Sequence, residues 1–183
     1  IILLIFSEAL RRRREFGMTC NFFKVFLVLM SAKLSQFIQY RDIKMIDLDN
    51  VYDLESQSYD FPWTRNILKD CIMNKYDSYV ATYNNIIVGY VISKVTSYES
   101  HVLNLTVNEK YRNNGIGSEL LEMVIYKCKI LQSSILLLET RLTNKSAMSL
   151  YEKYGFRKIG LRKDYYKTFL GKEDAIVYRK SFP

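Results

Sequence analysis

The sequence predicts one α/β (α+β) domain, with a mixed, mostly antiparallel central sheet of about seven strands and helices on both faces. Three observations carry this. Two alternating runs flank Asn84-Asn85 and a third follows closely, the pattern of an antiparallel meander. A long stretch from Ile116 to Leu131 has its apolar residues at helical spacing. An apolar strand-like run, a short helix and two further strand-like runs then follow, so helices and strands interleave to the end. With 183 residues, 49% of them hydrophobic and 25% charged, the chain has the composition of an ordinary soluble domain and length for one full core.

Taken in order, Phe37 to Ile43 reads as a first strand and Leu48 to Tyr59 as a helix opened by Asp47. Phe61-Pro62-Trp63 interrupts the pattern, and Thr64 caps a second helix to about Met73 with Ile67, Leu68, Cys71 and Ile72 on its apolar side. Ser78 to Tyr83 and Ile86 to Thr96 make the hairpin, and His101 to Val107 the third strand, with Leu103, Leu105 and Val107 on one face. The long helix presents Ile116, Leu120, Leu121, Val124, Ile125, Cys128 and Leu131 to the core. Ile135 to Leu138, ending in Glu139, reads as a strand buried on both faces. Asn144 to Tyr154 is a short helix stopped by Gly155, a good left-handed C-cap. Phe156 to Leu161 and Ala175 to Lys180 close the domain as strands, with the Tyr165-Tyr166 region looping between them.

Residues 1–29 are different. Short apolar runs, Ile1 to Phe6 and Phe22 to Leu29, flank Arg11 to Arg14, and neither approaches the roughly 20 residues that span a bilayer. From Met18 onward the stretch faintly resembles a signal peptide, but its apolar core is short for one, which favours an extension ahead of a start at Met18 or Met30. Residues 1–33 are therefore expected to be an N-terminal extension outside the fold, and 34–183 the domain. The formal charge of +8 is partly carried by that extension, and what remains suits an anionic ligand without requiring nucleic acid. Cys20, Cys71 and Cys128 are far apart, with no CxxC and a single histidine, His101, which is read as structural or exposed. That spacing argues against a metal or disulfide framework and for reduced thiols in the cytoplasm.

The chemistry begins at Arg112-Asn113-Asn114-Gly115-Ile116-Gly117, between a strand and a helix. Two glycines let the backbone curl so that several N–H groups share one concavity at a helix N-terminus, a phosphate-binding arrangement. It lacks the GK[ST] of a P-loop and the GxGxxG of a dinucleotide fold. An ordinary strand-to-helix turn would look the same. Glu139 ends an otherwise apolar strand, where an unpaired charge is costly. A structural ion pair with Arg141 or Arg157 would explain it, and so would a general base. Asn144 can cap its helix, and Tyr151, two helical turns later on the same face, is either a packed aromatic or a phenol for the same site. Cys71 and Cys128 lie on apolar helix faces, which argues against a thiol nucleophile.

The run Leu103 to Gly117, then Leu137-Leu138-Glu139, Asn144 and Leu150-Tyr151-Glu152-Lys153-Tyr154-Gly155-Phe156, resembles the GNAT acetyltransferase superfamily. Phe61-Pro62-Trp63, Arg162 to Tyr166 and Gly171 to Ala175 resemble more narrowly the bacterial ribosomal-protein alanine N-acetyltransferases, the RimI-like family. The likeness covers about residues 36–180. Asn108 stands where that family usually has Asp, and Lys167 where Pro is common.

The resemblance implies an acetyl-CoA-dependent transfer to the α-amino group of a protein N-terminus, with a ribosomal protein beginning in Ala or Ser as acceptor. A GNAT acting on a lysine side chain or a small amine, and a non-catalytic acyl-CoA or nucleic-acid binding module, are the alternatives. It further implies that Leu105, Thr106 and Val107 offer main-chain groups to the pantetheine arm. Asn113, Asn114, Gly115, Ile116, Gly117 and Ser118 would hold the pyrophosphate and Asn144 the cofactor arm. Glu139 would be the base, Tyr151 the acid, and Tyr165 and Tyr166 the grip on the acceptor. No metal and no membrane is expected.

Overall fold

The computed structural model describes residues 37–183, and Phe37–Pro183 forms one compact unit. The readings made for residues 1–33 lie outside the described residues. The unit holds strands β1 (Ile38–Asp42), β2 (Asp77–Tyr83), β3 (Ile86–Lys94), β4 (Glu99–Val107), β5 (Ile135–Arg141), β6 (Arg157–Thr168) and β7 (Gly171–Ser181). Its α-helices are α1 (Leu48–Ser58), α2 (Arg65–Met73), α3 (Ile116–Ile130) and α4 (Lys145–Lys153). The seven strands form one sheet in the order β1-β2-β3-β4-β5-β7-β6, antiparallel throughout except for the β4–β5 pair. This is the mixed, mostly antiparallel sheet that the sequence predicts.

Each face of the sheet has its own core. On one, Leu48, Val51 and Leu54 of α1 and Leu68 and Cys71 of α2 cover Val80, Ile87, Tyr90 and Ile92. On the other, the apolar stripe of α3 and Tyr151 of α4 cover Val91, Val102, Leu136, Leu138, Ile176 and Tyr178. Thr64 caps α2 as expected, accepting from the Ile67 N–H, while Ile67 itself is exposed. Asn84 and Asn85 both take positive φ, 49° and 63°, which is what a two-residue hairpin turn requires. Cys71 and Cys128 are buried free thiols, and burial pushes both pKa values up. Among the described residues, no helix is long and apolar enough to cross a membrane.

Three local readings change. Leu103 does not share a face with Leu105 and Val107 in a regular strand. The register against β3 slips there, with Val102 opposite Ser93 and Asn104 opposite Ile92, so Leu103 is the extra residue of a β-bulge. β5 is not buried on both faces. Leu136, Leu138 and Thr140 are buried, while Ile135, Leu137, Glu139 and Arg141 are half-buried, because the helices α1 and α2 cover only the β2–β4 side. Finally, Tyr165 and Tyr166 are in a strand rather than a loop. β6 runs on to Thr168 and pairs Tyr166 with Glu173 of β7 after a bulge between Arg162 and Tyr166.

Candidate active site

The bulge and the start of a cleft coincide. β4 and β5 pair only from Glu99–Ile135 to Val102–Leu138, and beyond Leu103 no described strand lies against that edge of β4. A bulge bends its strand and increases its twist, which parts two parallel neighbours without a break in either. The cleft that opens there has a volume of roughly 770 Å³ and is lined by Leu105, Thr106 and Val107 from β4. Their main-chain groups on the β5 side are thus presented to the cleft rather than to a ladder.

The turn before α3 forms one wall. Asn113 and Gly115 adopt left-handed φ values of 62° and 81°, and α3 begins at Ile116, so successive N–H groups converge at a 15-residue helix's positive end. Asn113, Gly115, Ile116, Gly117 and Ser118 all line the cleft. Asn114 does not, for its side-chain amide donates to the carbonyls of Tyr111 and Arg112 at 3.1 and 3.0 Å and braces the turn from behind. Gly115 is demanded by its φ, since a Cβ there would meet nothing. At Gly117 a Cβ would sit 3.6 Å from Leu150, ordinary contact, so only a larger side chain would intrude. The tight glycine is Gly89, unremarked in the sequence, where a Cβ would lie 3.1 Å from the Thr106 carbonyl and 3.2 Å from Ile116. It lets α3 settle close against β3 and β4.

Helix α4 forms another wall. Asn144 caps it, accepting from the Ala147 N–H at 3.1 Å, and also lines the cleft, so capping leaves it within reach of a ligand there. Tyr151 is 6% exposed, with its ring 5.9 Å from those of Phe156 and Tyr178, yet it too lines the cleft. Burial raises its pKa, helped by the neighbouring phenols of Tyr59, Tyr166 and Tyr178, so it stays protonated at neutral pH.

Glu139 lies on the opposite face of the sheet from Tyr151, among the half-buried residues of β5. Its ion-pair partner is Arg162 of β6, at 3.3 Å, rather than Arg141 or Arg157. Arg141 is instead held by Glu173 at 3.1 Å, and its guanidinium stacks 4.4 Å from the centre of the Tyr166 ring. Glu173 also accepts from the Thr143 N–H and hydroxyl at 3.0 and 2.9 Å. Burial alone would raise the Glu173 pKa, but the Thr143 and Arg141 donors outweigh it and hold it below the usual value. Tyr165 and Tyr166 meet edge to face at 5.0 Å, and burial pushes the Tyr166 pKa up. Next to Asp60 and Thr168 of the cleft lining, Phe61 packs on Phe169 at 5.2 Å, so the α1–α2 loop meets the β6–β7 hairpin.

Two further polar residues, Glu55 and Tyr59, belong to the site. Glu55 of α1, 1% exposed, sits on the same stripe as Val51 and Leu54, and a carboxylate on an apolar helical stripe was the available signal. It accepts from the Trp63 N–H, the Tyr90 hydroxyl and the Asn104 amide at 2.9, 2.5 and 3.3 Å. Tyr59, just after α1, joins the cleft through its hydroxyl contact with Thr106 at 3.0 Å.

The sequence and the fold that build this cleft are matched in known proteins. Residues 47–156 match the sequence model of the acetyltransferase (GNAT) family. The chain is 31% identical over 135 residues to the [ribosomal protein bS18]-alanine N-acetyltransferase of Escherichia coli K12, covering 74% of this chain and 91% of that protein. It is 34% identical over 136 residues to the enzyme of that name from Haemophilus influenzae, with 74% and 92% covered. The crystal structure of the Escherichia coli ribosomal-protein-S18-alanine N-acetyltransferase superposes with a TM-score of 0.73 at 29% identity, covering 79% of this chain and 93% of that one. The fold also matches Arabidopsis thaliana Naa50 in complex with the bisubstrate analogue CoA-Ac-MVNAL, with a TM-score of 0.71 at 24% identity over 80% of this chain and 99% of that one. Fold and sequence agree, and the chain belongs to the GNAT acetyltransferase family as an acetyl-CoA-dependent N-acetyltransferase.

Proposed function

We propose that the acceptor is the N-terminal α-amino group of a protein, with a ribosomal protein beginning in Ala or Ser as the substrate and the cytoplasm as the place of action. One observation carries this most directly. The Phe61 loop meets the β6–β7 hairpin at Phe169, next to Asp60 and Thr168 of the cleft lining, and Tyr166 packs on Arg141, which also lines the cleft, so this rim suits the thin end of an extended chain. The name shared by the relatives in Escherichia coli and Haemophilus influenzae supports the same acceptor class.

The residues present fit acetyl-CoA. The left-handed turn at Asn113 to Gly115 and the start of α3 offer N–H groups for the pyrophosphate, the free edge at Leu105, Thr106 and Val107 offers partners for the pantetheine amides, and Asn144 can join them. When bound, acetyl-CoA supplies an activated acyl carbon. Glu139 takes a proton from the incoming ammonium, directly or through water, on the face where Tyr165 and Tyr166 stand. An α-ammonium has a pKa of about 8, against about 10 for lysine, so a modest base suffices. Main-chain N–H groups on the exposed edge of β4 stabilise the oxyanion of the tetrahedral adduct. Tyr151, on the other side of the sheet, donates to the departing sulfur. Since burial leaves its phenol less acidic than a thiol, Tyr151 keeps its proton and contributes a strong hydrogen bond to the developing thiolate.

A mass-spectrometric assay should compare three acceptors: peptides with a free N-terminal Ala, N-blocked peptides containing Lys, and polyamines. The free-Ala peptides should be acetylated fastest. Equal or faster modification of the blocked peptides or the polyamines would replace this reading with the lysine or small-amine alternative.

A further inference from the structure

We infer that Tyr59 binds the acceptor nitrogen, and that the buried carboxylate of Glu55 fixes it as a hydrogen-bond acceptor by polarising a chain of side chains between them. The inference rests on the reading of the cleft as an amine-acetylating site. It follows from counting hydrogens.

Glu55 accepts from the Asn104 Nδ2 at 3.3 Å, and an amide turned the other way would set its oxygen against the carboxylate. The orientation of Asn104 is thereby set, with its Oδ1 toward Thr106. Thr106 has a single hydroxyl hydrogen, which it gives to that Oδ1 at 2.9 Å. Tyr59 is 3.0 Å from the Thr106 Oγ1, whose only hydrogen is now committed, so Tyr59 must donate and Thr106 accept. What remains on the Tyr59 oxygen is lone pairs. Tyr59 lines the cleft, and its phenol lies near enough to Tyr151 and Tyr166 to influence both. It therefore faces the place where the amine and the thioester meet, and offers an acceptor there. An ammonium or amine N–H is the complement to such a group.

The far end of the chain is built to hold. Glu55 takes two further donors, the Tyr90 hydroxyl and the Trp63 N–H, so its charge is satisfied and cannot rotate away. Burial raises the pKa of Tyr59, and the phenol keeps the proton that the chain needs. Thr106 thus serves the two halves of the site with different atoms, its main chain on the cofactor side and its hydroxyl on the acceptor side.

The test is steady-state kinetics with acetyl-CoA and whichever of the free-Ala peptide, blocked Lys peptide or polyamine the wild type acetylates best. Tyr59→Phe keeps the ring and should raise KM for the amine about tenfold, the worth of one hydrogen bond to a charged group, with kcat and acetyl-CoA affinity unchanged. Thr106→Val frees the Tyr59 hydrogen to turn into the cleft against the ammonium, and should raise the same KM. The double variant should be no worse than the poorer single one, as expected for two links of one chain. An unchanged KM in Tyr59→Phe overturns the inference, as does a loss shared equally by acetyl-CoA binding or by independent, additive effects. A preference for the Lys peptide or polyamine would defeat the N-terminal reading while leaving this comparison to be decided on that amine. Failure to acetylate any of the three would overturn both.

Discussion

The two ends of the β4–β5 junction are made of the same strands and do opposite things. At the closed end, Glu99 to Val102 pair in parallel with Ile135 to Leu138, and Val102, Leu136 and Leu138 are buried under α3. At the open end, Leu105 to Val107 and Glu139 to Arg141 are no longer paired, and the edge of β4 faces the cleft instead of a ladder. One half of the junction buys rigidity and the other presents chemistry. The difference teaches that the site is an interruption in a sheet, held in place by the intact part beside it.

Substitutions at the two ends should therefore separate turnover from stability. The largest effect is expected at the open end. Tyr151→Phe retains the packing on Phe156 and Tyr178 and should lower kcat by about 10² to 10⁴, with unfolding midpoint and acetyl-CoA affinity close to wild type. Glu139→Gln should lose activity most at the acid end of a scan from roughly pH 6 to 9, where the acceptor is most protonated. Wild-type turnover in both variants would reduce these residues to packing and ion pairing.

At the closed end the effect should be in folding. Leu138→Ala, at a residue only 1% exposed, should cost about 2 to 5 kcal/mol in a urea titration, while the protein that remains folded keeps its turnover. A fall in kcat comparable with that of Tyr151→Phe would erase the distinction between the two ends.

The smallest effect is expected where the open end is tied shut. Glu173 joins Thr143 and Arg141 beneath Tyr166, so Glu173→Gln should lower the melting temperature by about 3 °C and raise the peptide KM modestly. Its folded pKa is depressed. The stability it gives is accordingly present above the unfolded carboxylate pKa and is lost as pH falls through the folded one. The difference between wild type and Glu173→Gln should therefore shrink in strongly acidic buffer, as followed by thermal denaturation, and a difference that persists there would assign the loss to packing.

Much of this was legible in the residues, and the exceptions share a cause. The helices could be read because their apolar stripes are local patterns, as were the Asn84-Asn85 turn and the glycine turn before α3. The bulge at Leu103 could not, because a register slip is a relation between β4 and β3 and the alternation Leu103, Leu105, Val107 reads as regular without its partner. The second half of β6 was hidden for another reason. It is an edge strand exposed on most of its length, so Arg162 to Thr168 shows no alternation to betray it. In the site, the glycine turn is visible in the residues themselves and the roles of Asn144 and Tyr151 are implied by the family resemblance, whereas the pairing of Glu139 with Arg162 rather than Arg141 depends on which strand lies beyond β7. Glu55 carries a signal of its own, as a carboxylate on the apolar stripe of α1. The argument from an unpaired charge on an apolar run applies to it as well as to Glu139.

The extra residue at Leu103 has a consequence for how such a site could arise. Opposite pairs in β3 and β4 run Ser93–Val102, Ile92–Asn104 and Val91–Leu105, so with Leu103 excised the remaining side chains already alternate correctly. Loss of a single codon there would leave Val102, Leu105 and Val107 with the α3 core and Thr106 with Tyr59, and would straighten the strand toward β5. Gain of that codon in an unbroken sheet would do the reverse, opening a binding cleft while asking no other residue to change its allegiance. A one-residue insertion is usually a lesion in a strand; at this position it is the smallest heritable step between a closed sheet and one that can admit a substrate.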